Sequence, residues 1–414
     1  MTEAYIIDTC RTPRGIGKIG KGSLAHIHPQ KLAATVLKAL AERNNLITAD
    51  VSDIIWGCNN QTGKQSADLG RMAALEAGYS VLASGVTLDR FCGSGITSVS
   101  LAAAQVMSGM EDVVIGGGTE MMSYTGSLKN TGDSYPLFDR GNLSLRDKHP
   151  QSNQGICADA IATIEGIDRD SLDKLAVISQ QRAERAIKEN RFDGSLVPVL
   201  NDDGSVALDR EEFPRPGTSR ESLAGLNAVF DQWHSAPVDD SGETFGGLIE
   251  KVYPQLNQWD HVHHAGNSSG VVDGAAAVLL ASKDYAEKNG LTPRARIVAT
   301  ANIGDCPTLM LNAPVPAAKR VLAKAKLSKE DIDVWEINEA FAVVAEKFIR
   351  DLDLDREKVN INGGAMALGH PIAATGAILI GTALDELERS GGRYALITMC
   401  AGGGMAPAII IERV

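Results

Sequence analysis

The chain has 414 residues, 44% hydrophobic and 22% charged, which predicts two or three folded lobes and excludes a disordered polymer. Its net charge of −12, with no run of Lys or Arg, disfavours nucleic acid and anionic membrane as partners, so any anionic substrate has to be met by local donors. Met1–Cys10 has no basic leader, no apolar run is long enough to span a membrane, and the six scattered cysteines form no CxxC pair; this predicts reduced thiols in a cytoplasmic protein, without a disulfide framework or a zinc site.

Short apolar runs alternate with amphipathic stretches, the pattern of α/β layering. In chain order the pattern predicts a strand at Tyr5–Asp8, helices at Gln30–Asn44 and Gly95–Ser108, and a strand at Asp112–Ile115. From about 121 to 262 the texture changes to Ser, Asn, Asp, Gly and Pro, with one clear helix at Leu172–Glu189. Strands return at Ala276–Leu280 and Ile297–Ala301, followed by helices at Ala317–Ala325, Ala340–Leu352 and Ala373–Arg389 and a last strand at Tyr394–Thr398.

The two ends resemble one another. A helix, a break and a strand ending Asp53-Ile54-Ile55-Trp56 are matched by the same order ending Asp333-Val334-Trp335, and Val113-Val114-Ile115-Gly116-Gly117 is echoed by Ala395-Leu396-Ile397 and the glycines after it. Either an α/β unit is duplicated or two common patterns coincide; the shared order favours duplication. The chain then divides into an N-terminal half (1–120), a loop-rich insert (121–262) and a C-terminal half (263–414). Long loops of this kind usually serve binding or assembly.

Three segments carry candidate chemistry. Cys92 follows a strand and opens a helix within Phe91-Cys92-Gly93-Ser94-Gly95. The helix N-terminus and its free N–H groups favour a thiolate and can hold an oxyanion, although a buried inert cysteine fits the same setting. His370 lies between Gly369 and Pro371 in a constrained turn, where a neutral imidazole can take a thiol proton or simply cap the turn. Cys400 ends a strand before Gly402-Gly403-Gly404, whose backbone N–H groups can form an anion hole. Asn338, after another strand, can bind a water or a carbonyl oxygen, or act as an N-cap.

Together these blocks resemble the thiolases, the acetyl-CoA C-acyltransferases. Phe91-Cys92-Gly93-Ser94-Gly95, Ala265-Gly266-Asn267-Ser268-Ser269-Gly270, Asn338-Glu339-Ala340-Phe341, the Gly363–Pro371 block and Cys400 with its glycines occur in the family's order almost end to end. The resemblance implies a duplicated five-layer α-β-α-β-α fold with an inserted loop domain for acyl and CoA binding and assembly, and a homodimer or homotetramer. It implies coenzyme A as co-substrate, with no tightly bound cofactor and no metal. It further implies Cys92 as nucleophile, His370 as base, Cys400 as proton carrier, Asn338 as holder of a water, backbone N–H groups of Cys92 and Gly402 as oxyanion donors, and Ser269 as a pantetheine contact.

Three departures stand out. Asn153-Gln154-Gly155 occupies the place of the family's His-Met-Gly, which lines the acyl and pantetheine pocket. The turn after His370, where the family usually has a second glycine and a later arginine, here reads Ile372-Ala373-Ala374-Thr375-Gly376-Ala377-Ile378. Phe230–His264 is long and carries Trp233, Phe245, Tyr253 and Trp259, which are expected to cap an acyl pocket or to form a subunit contact, the contact being slightly favoured because apolar surface clusters most often do that. His261, His263 and His264 are expected in a solvated loop, since no ligand pattern accompanies them. The Gly57–Lys64 stretch has the wrong spacing for a phosphate loop, and Gly116–Gly118 the wrong spacing for a dinucleotide site. Cleavage of a 3-oxoacyl-CoA, or the reverse condensation of two acetyl-CoA units, is the leading expectation, with cleavage of a larger or unusual acyl chain favoured. A ketoacyl-synthase-like condensing enzyme is disfavoured by Cys400, and a catalytically silent acyl-CoA-binding relative by the intact nucleophile and base. A papain-like protease fits the glycine-rich contexts poorly.

Overall fold

The computed structural model describes residues 3–128, 137–256 and 258–414. Its strands are β1 (Ala4–Arg11), β2 (Gly15–Ile16), β3 (Asp53–Gly57), β4 (Val86–Leu88), β5 (Val113–Met121), β6 (Val199–Leu200), β7 (Val206–Leu208), β8 (Val272–Ser282), β9 (Ala295–Gly304), β10 (Val334–Ile337), β11 (Tyr394–Thr398) and β12 (Met405–Arg413). The small pair β6–β7 stands apart; the other strands form one hydrogen-bonded sheet in the order β10-β11-β12-β9-β1-β8-β5-β3-β4, with β2 beside β8.

That order is the same pattern written twice. On one side β4, β3 and β5 are parallel, and β8 and β1 complete the run antiparallel. On the other, β10 and β11 are parallel, with β12 and β9 following antiparallel, and Val359 bridging Trp335 takes the position of β4. The halves meet where β1 pairs with β9 through Tyr5 and Ile6 opposite Arg296 and Ala295. The expected duplication is therefore present strand for strand. β8 joins the first half's sheet, so the expected boundary at 263 is displaced: this strand returns to the N-terminal unit after the insert.

Alternation along the strands builds the layers. Val114, Val278, Leu280, Ile397, Ile409 and Ile411 share one core with the helices Ser94–Ser108 and Thr375–Ser390, which form the central layer. The neighbouring residues Val113, Ile115, Leu279 and Ala281 face the opposite way, onto the helix Pro29–Arg43. On the second half's outer face, Trp335, Ile337, Leu396 and Ile410 meet the helices Pro314–Ala325 and Ala342–Leu352. Every residue of β5 and β8 is buried, as expected for strands covered on both faces. Glycine lets the helices come close: a Cβ on Gly116 would lie 2.6 Å from Val99 Cα. The molecule is thus α/β, with the thiolase-like arrangement of layers.

The insert is more helical than its composition predicts. Gln154–Glu165 and Arg169–Lys188 are full helices, and their apolar residues join the outer core of the second half. The insert thus spans both halves, its helices packing on the second while Val199 and Leu208 join the core of the first. Its aromatic segment mostly turns inward, contrary to the expected subunit contact. Phe245 is buried, Tyr253 and Trp259 pack against the same core, and the Trp259 indole N–H donates to Glu250 at 2.9 Å; only Trp233 of the four is exposed. His263 and His264 are also buried rather than solvated, paired with Asp159 and Asp173. No helix among the described residues is long and apolar enough to cross a membrane, and all six cysteines are free.

Candidate active site

The central helices place Cys92 and His370. The chain leaves β4 through Asp89, Arg90 and Phe91 and enters the helix Ser94–Ser108 immediately after Cys92. Phe91 has φ +50°, a left-handed conformation that a bulky side chain rarely adopts, so the turn is strained at the residue before the thiol. Asp89 Oδ1 accepts from Phe91 N at 2.7 Å, and Ser94 Oγ accepts from Arg90 N and donates to the Phe91 carbonyl. These bonds hold the strained turn.

His370 occupies the matching place before the helix Thr375–Ser390. The two helix starts touch through glycine: a Cβ on Gly95 would lie 2.9 Å from the Ala373 carbonyl oxygen, and one on Gly376 would lie 2.2 Å from Ile96 N. Gly95 follows Cys92 by three residues and Ala373 follows His370 by three, so the contact gathers both turns at one end of the helix pair. The His370 N–H donates to the Gly270 carbonyl at 2.9 Å, tying the turn to the strand approach beside Ser269.

Thr375 fixes the imidazole. Its Oγ1 donates to the Pro371 carbonyl at 3.0 Å and lies 2.6 Å from His370 Nδ1. With the hydroxyl proton committed to that carbonyl, Nδ1 must carry the ring proton, and Nε2 keeps a lone pair. Asn338 Nδ2 approaches Nε2 at 3.4 Å, consistent with this tautomer, and Asn338 Oδ1 is buried without a protein partner. Asn338 follows β10 and hangs from Thr398 of β11 by its backbone N–H.

Cys400 lies in the turn joining β11 to β12, closed by paired backbone bonds between Ala401 and Met405. A Cβ on Gly402 would lie about 3.0 Å from the Phe91 ring, so this turn packs directly on the residue preceding Cys92. Gly93 meets Pro407 of β12 in the same way. The structure therefore brings Cys92, His370, Asn338, Cys400 and Gly402 to one centre, while Ser269, half-buried, lies on the adjoining segment, its N–H donating to the Ala340 carbonyl.

The electrostatics correct one expectation. Burial pushes the Cys92 thiol up to about 12, its own backbone N–H pulling it down and the Glu120 and Asp89 charges adding to the rise. Burial, with the Arg14 cation beside it, holds His370 at about 4. Burial and the neighbouring Cys92 push the Cys400 thiol up as well. The resting centre is thus a neutral thiol, a neutral imidazole and a second neutral thiol, not the thiolate expected from the helix terminus alone. Such a set can pass a proton from sulfur to Nε2 as a bond forms, and hold a second proton on Cys400.

Thr375, Arg14 and Glu211 escaped the sequence reading. Arg14 Nη2 donates to Glu211 Oε1 at 2.7 Å and Arg11 Nη1 to the same oxygen at 2.6 Å, all three side chains being buried. Only an unexplained hydroxyl shortly after His370 could have signalled Thr375; no local pattern links Arg14 to Glu211.

Comparison with known proteins shows the family to which the chain belongs. Residues 4–235 match the thiolase N-terminal domain family and residues 291–413 the thiolase C-terminal domain family. The chain is 38% identical to the steroid 3-ketoacyl-CoA thiolase FadA6 of Mycobacterium tuberculosis, over all of this chain and 95% of that protein. It is 40% identical to the 3-oxoadipyl-CoA/3-oxo-5,6-dehydrosuberyl-CoA thiolase of Escherichia coli, over the full length of both. The crystal structure of the Bacillus anthracis acetyl-CoA acetyltransferase superposes with a TM-score of 0.83 at 31% identity, covering 100% of this chain and 99% of that one.

Proposed function

The chain belongs to the thiolase family, and we propose that its centre runs thiolysis with Cys92 as nucleophile, His370 as base and Cys400 as the second proton carrier. It is an acyltransferase that cleaves a 3-oxoacyl-CoA to acetyl-CoA and a shortened acyl-CoA. The observation that carries the residue roles is the paired arrangement of Cys92 and His370 at touching helix starts, with the Cys400 turn packed against Phe91.

In the first half-reaction His370 Nε2 takes the Cys92 proton as Sγ bonds to the 3-keto carbon. The resulting oxyanion is held by the backbone N–H groups of Cys92 and Gly402. The bond between C2 and C3 then breaks, leaving the shortened acyl group on Cys92 and an acetyl-CoA enolate, which takes its proton at C2 from Cys400. His370 and a water on the orphaned Asn338 Oδ1 stabilise the enolate oxygen. In the second half-reaction Cys400 deprotonates free CoA, whose thiolate attacks the acyl-enzyme, and Cys92 recovers its proton from His370. Two neutral thiols and a neutral imidazole are the starting state this cycle requires.

CoA is used as co-substrate, and the replacement of His-Met-Gly by Asn153-Gln154-Gly155, with the packed aromatic insert, supports a bulky or functionalised acyl chain. The relatives named for steroid and 3-oxoadipyl substrates agree with that reading. A dimer or tetramer is supported by the sheet edge: β4 ends the sheet, and Val81, Leu82 and Val86 are exposed along it. The direct test follows CoA-dependent loss of 3-oxoacyl-CoAs of graded chain length, with Cys92→Ala as control. Turnover needing both CoA and Cys92 is expected; turnover that survives Cys92→Ala overturns the assignment.

A further inference from the structure

His263 is fully buried, and its Nδ1 lies 2.7 Å from Asp159 Oδ1. The same oxygen accepts the backbone N–H groups of Val262 and His263, and Asp159 Oδ2 meets His261 Nδ1 at 2.9 Å. Burial opposes charge on Asp159, but the hydrogen bonds from His261 and His263 hold it below the ordinary carboxylate value. A carboxylate only accepts, so His263 Nδ1 carries the ring proton and Nε2 presents a lone pair. That nitrogen is buried and has no partner among the described residues. A buried polar atom left unsatisfied loses the hydrogen bond it would make to water, which asks for an occupant.

The place of the ring says what the occupant is. It meets Phe341 edge-on, with centroids 5.7 Å apart and planes at 84°. Phe341 follows Asn338 by three residues and also meets Phe230, whose ring covers Gly155 so closely that a Cβ there would lie 2.1 Å from it. The short run from His263 to Gly270 continues along the same wall. Asn267 accepts from Ala342 N, Ser268 bridges Phe341, Ser269 N donates to Ala340, and Gly270 holds His370 N. Ser268 Oγ is a second buried polar atom on this wall without a partner. Two unsatisfied polar atoms therefore adjoin Phe341, on the segment that ends at the catalytic imidazole.

We propose that His263 is a substrate-binding residue whose Nε2 accepts a hydrogen bond from an N–H or O–H donor of the bound acyl-CoA as it lies along Phe341. The proposal rests on the thiolase reading. Two sources supply such a donor: an amide of the CoA arm, present in every substrate, or a hydroxyl on the acyl chain. Asp159 makes the contact one-sided by fixing the tautomer, and so excludes groups that can only accept.

The test uses the full chain carrying His263→Phe, which keeps a ring without the acceptor, and His263→Gln, which returns an amide to the Nε2 position. His263→Leu serves as the acceptor-free variant should phenylalanine not fold. Each is assayed for CoA-dependent cleavage of plain and hydroxyl-bearing 3-oxoacyl-CoAs. If the donor is a CoA-arm amide, the acceptor-free variant raises KM about tenfold for every substrate, with kcat nearly unchanged. If it is an acyl hydroxyl, the rise is confined to the hydroxylated chains. In both cases glutamine restores KM to within about twofold. An acceptor-free variant that folds with KM unchanged across the panel, or a glutamine variant no better than it, overturns the proposal. Wild-type turnover is independent of this comparison, so its absence would overturn the thiolase reading instead.

Discussion

Thr375 Oγ1 bridges His370 Nδ1 and the Pro371 carbonyl, at 2.6 and 3.0 Å, so a single hydroxyl both closes the turn and decides which imidazole nitrogen keeps its lone pair. Replacing it by valine keeps the volume, strands the Nδ1 proton and frees the ring to turn. Thr375→Val is expected to lower kcat about a hundredfold, with Thr375→Ser restoring most of it. Steady-state kinetics on both variants, with melting temperatures to show an intact fold, checks this.

The pH dependence follows from the buried imidazole. His370 is held at about 4, below the ordinary value near 6.5, so its base form persists well into acid. The acid limb of kcat/KM should therefore fall near pH 4, not near 6.5. The stability sign is the depressed one: the unfolded chain binds this proton more tightly than the native one. Stability from this group is full above about 6.5 and is lost progressively as pH falls towards 4. A pH–rate profile alongside denaturation midpoints from pH 4 to 7 reads both effects.

Glu211 joins Arg11 and Arg14 in a buried triad linking β1 and its following loop to the insert. Burial alone would raise its carboxyl, but the Arg14 and Arg11 charges hold it at about 2. Its contribution to stability is thus present above about 4.5 and lost as pH falls towards 2. Glu211→Gln leaves two buried cations without a counter-charge and should destabilise by about 3–5 kcal/mol at neutral pH. Urea midpoints for the two proteins are the measurement, and a change below 1 kcal/mol would show that the triad is not a structural tie.

The contact of Gly376 with Ile96 is backbone on backbone, with no flexible side chain to move aside. Gly376→Ala is expected to cost more than about 3 kcal/mol, or to push the central helices apart and depress kcat as the two turns separate. Gly391→Ala, which meets nothing but sits at φ +75°, should cost only about 1 kcal/mol. Thermal melts of the pair distinguish local crowding from a general intolerance of substitution.

Most of the frame was legible because strands buried on both faces read as continuous apolar runs, and the duplicated halves repeat their order. The helix Gln154–Glu165 was not, since residues 155–162 are all buried and offer no polar stripe to set a period. β8 was assigned to the wrong half because its sheet partners, β5 and β1, lie far back in the chain. The proposed reacting groups Cys92, His370 and Cys400 were singled out by their glycine-rich turns. Their supports did not: Arg14 meets Glu211 across 197 positions, and His263 meets Asp159 across 104. The thiolate expectation failed for a related reason. A helix start is visible in sequence, whereas the depth at which it is buried is set by the opposite half.

The joint between β5 and β8 and the joint between β11 and β12 are the same position in the two copies. One remains a tight turn, Met399–Gly404, and carries Cys400; the other has grown into residues 122–271. Cys400 thus sits in the short copy of this joint, and the residues proposed to contact the acyl-CoA sit in the long one. Cys92, Asn338, His370 and Cys400 all lie outside the grown segment, whereas His263 and Ser269 lie within it. Diversification of substrate can proceed by remodelling that cassette on an unchanged reactive chassis, and chimaeras exchanging only 122–271 between relatives should inherit the donor's substrate range.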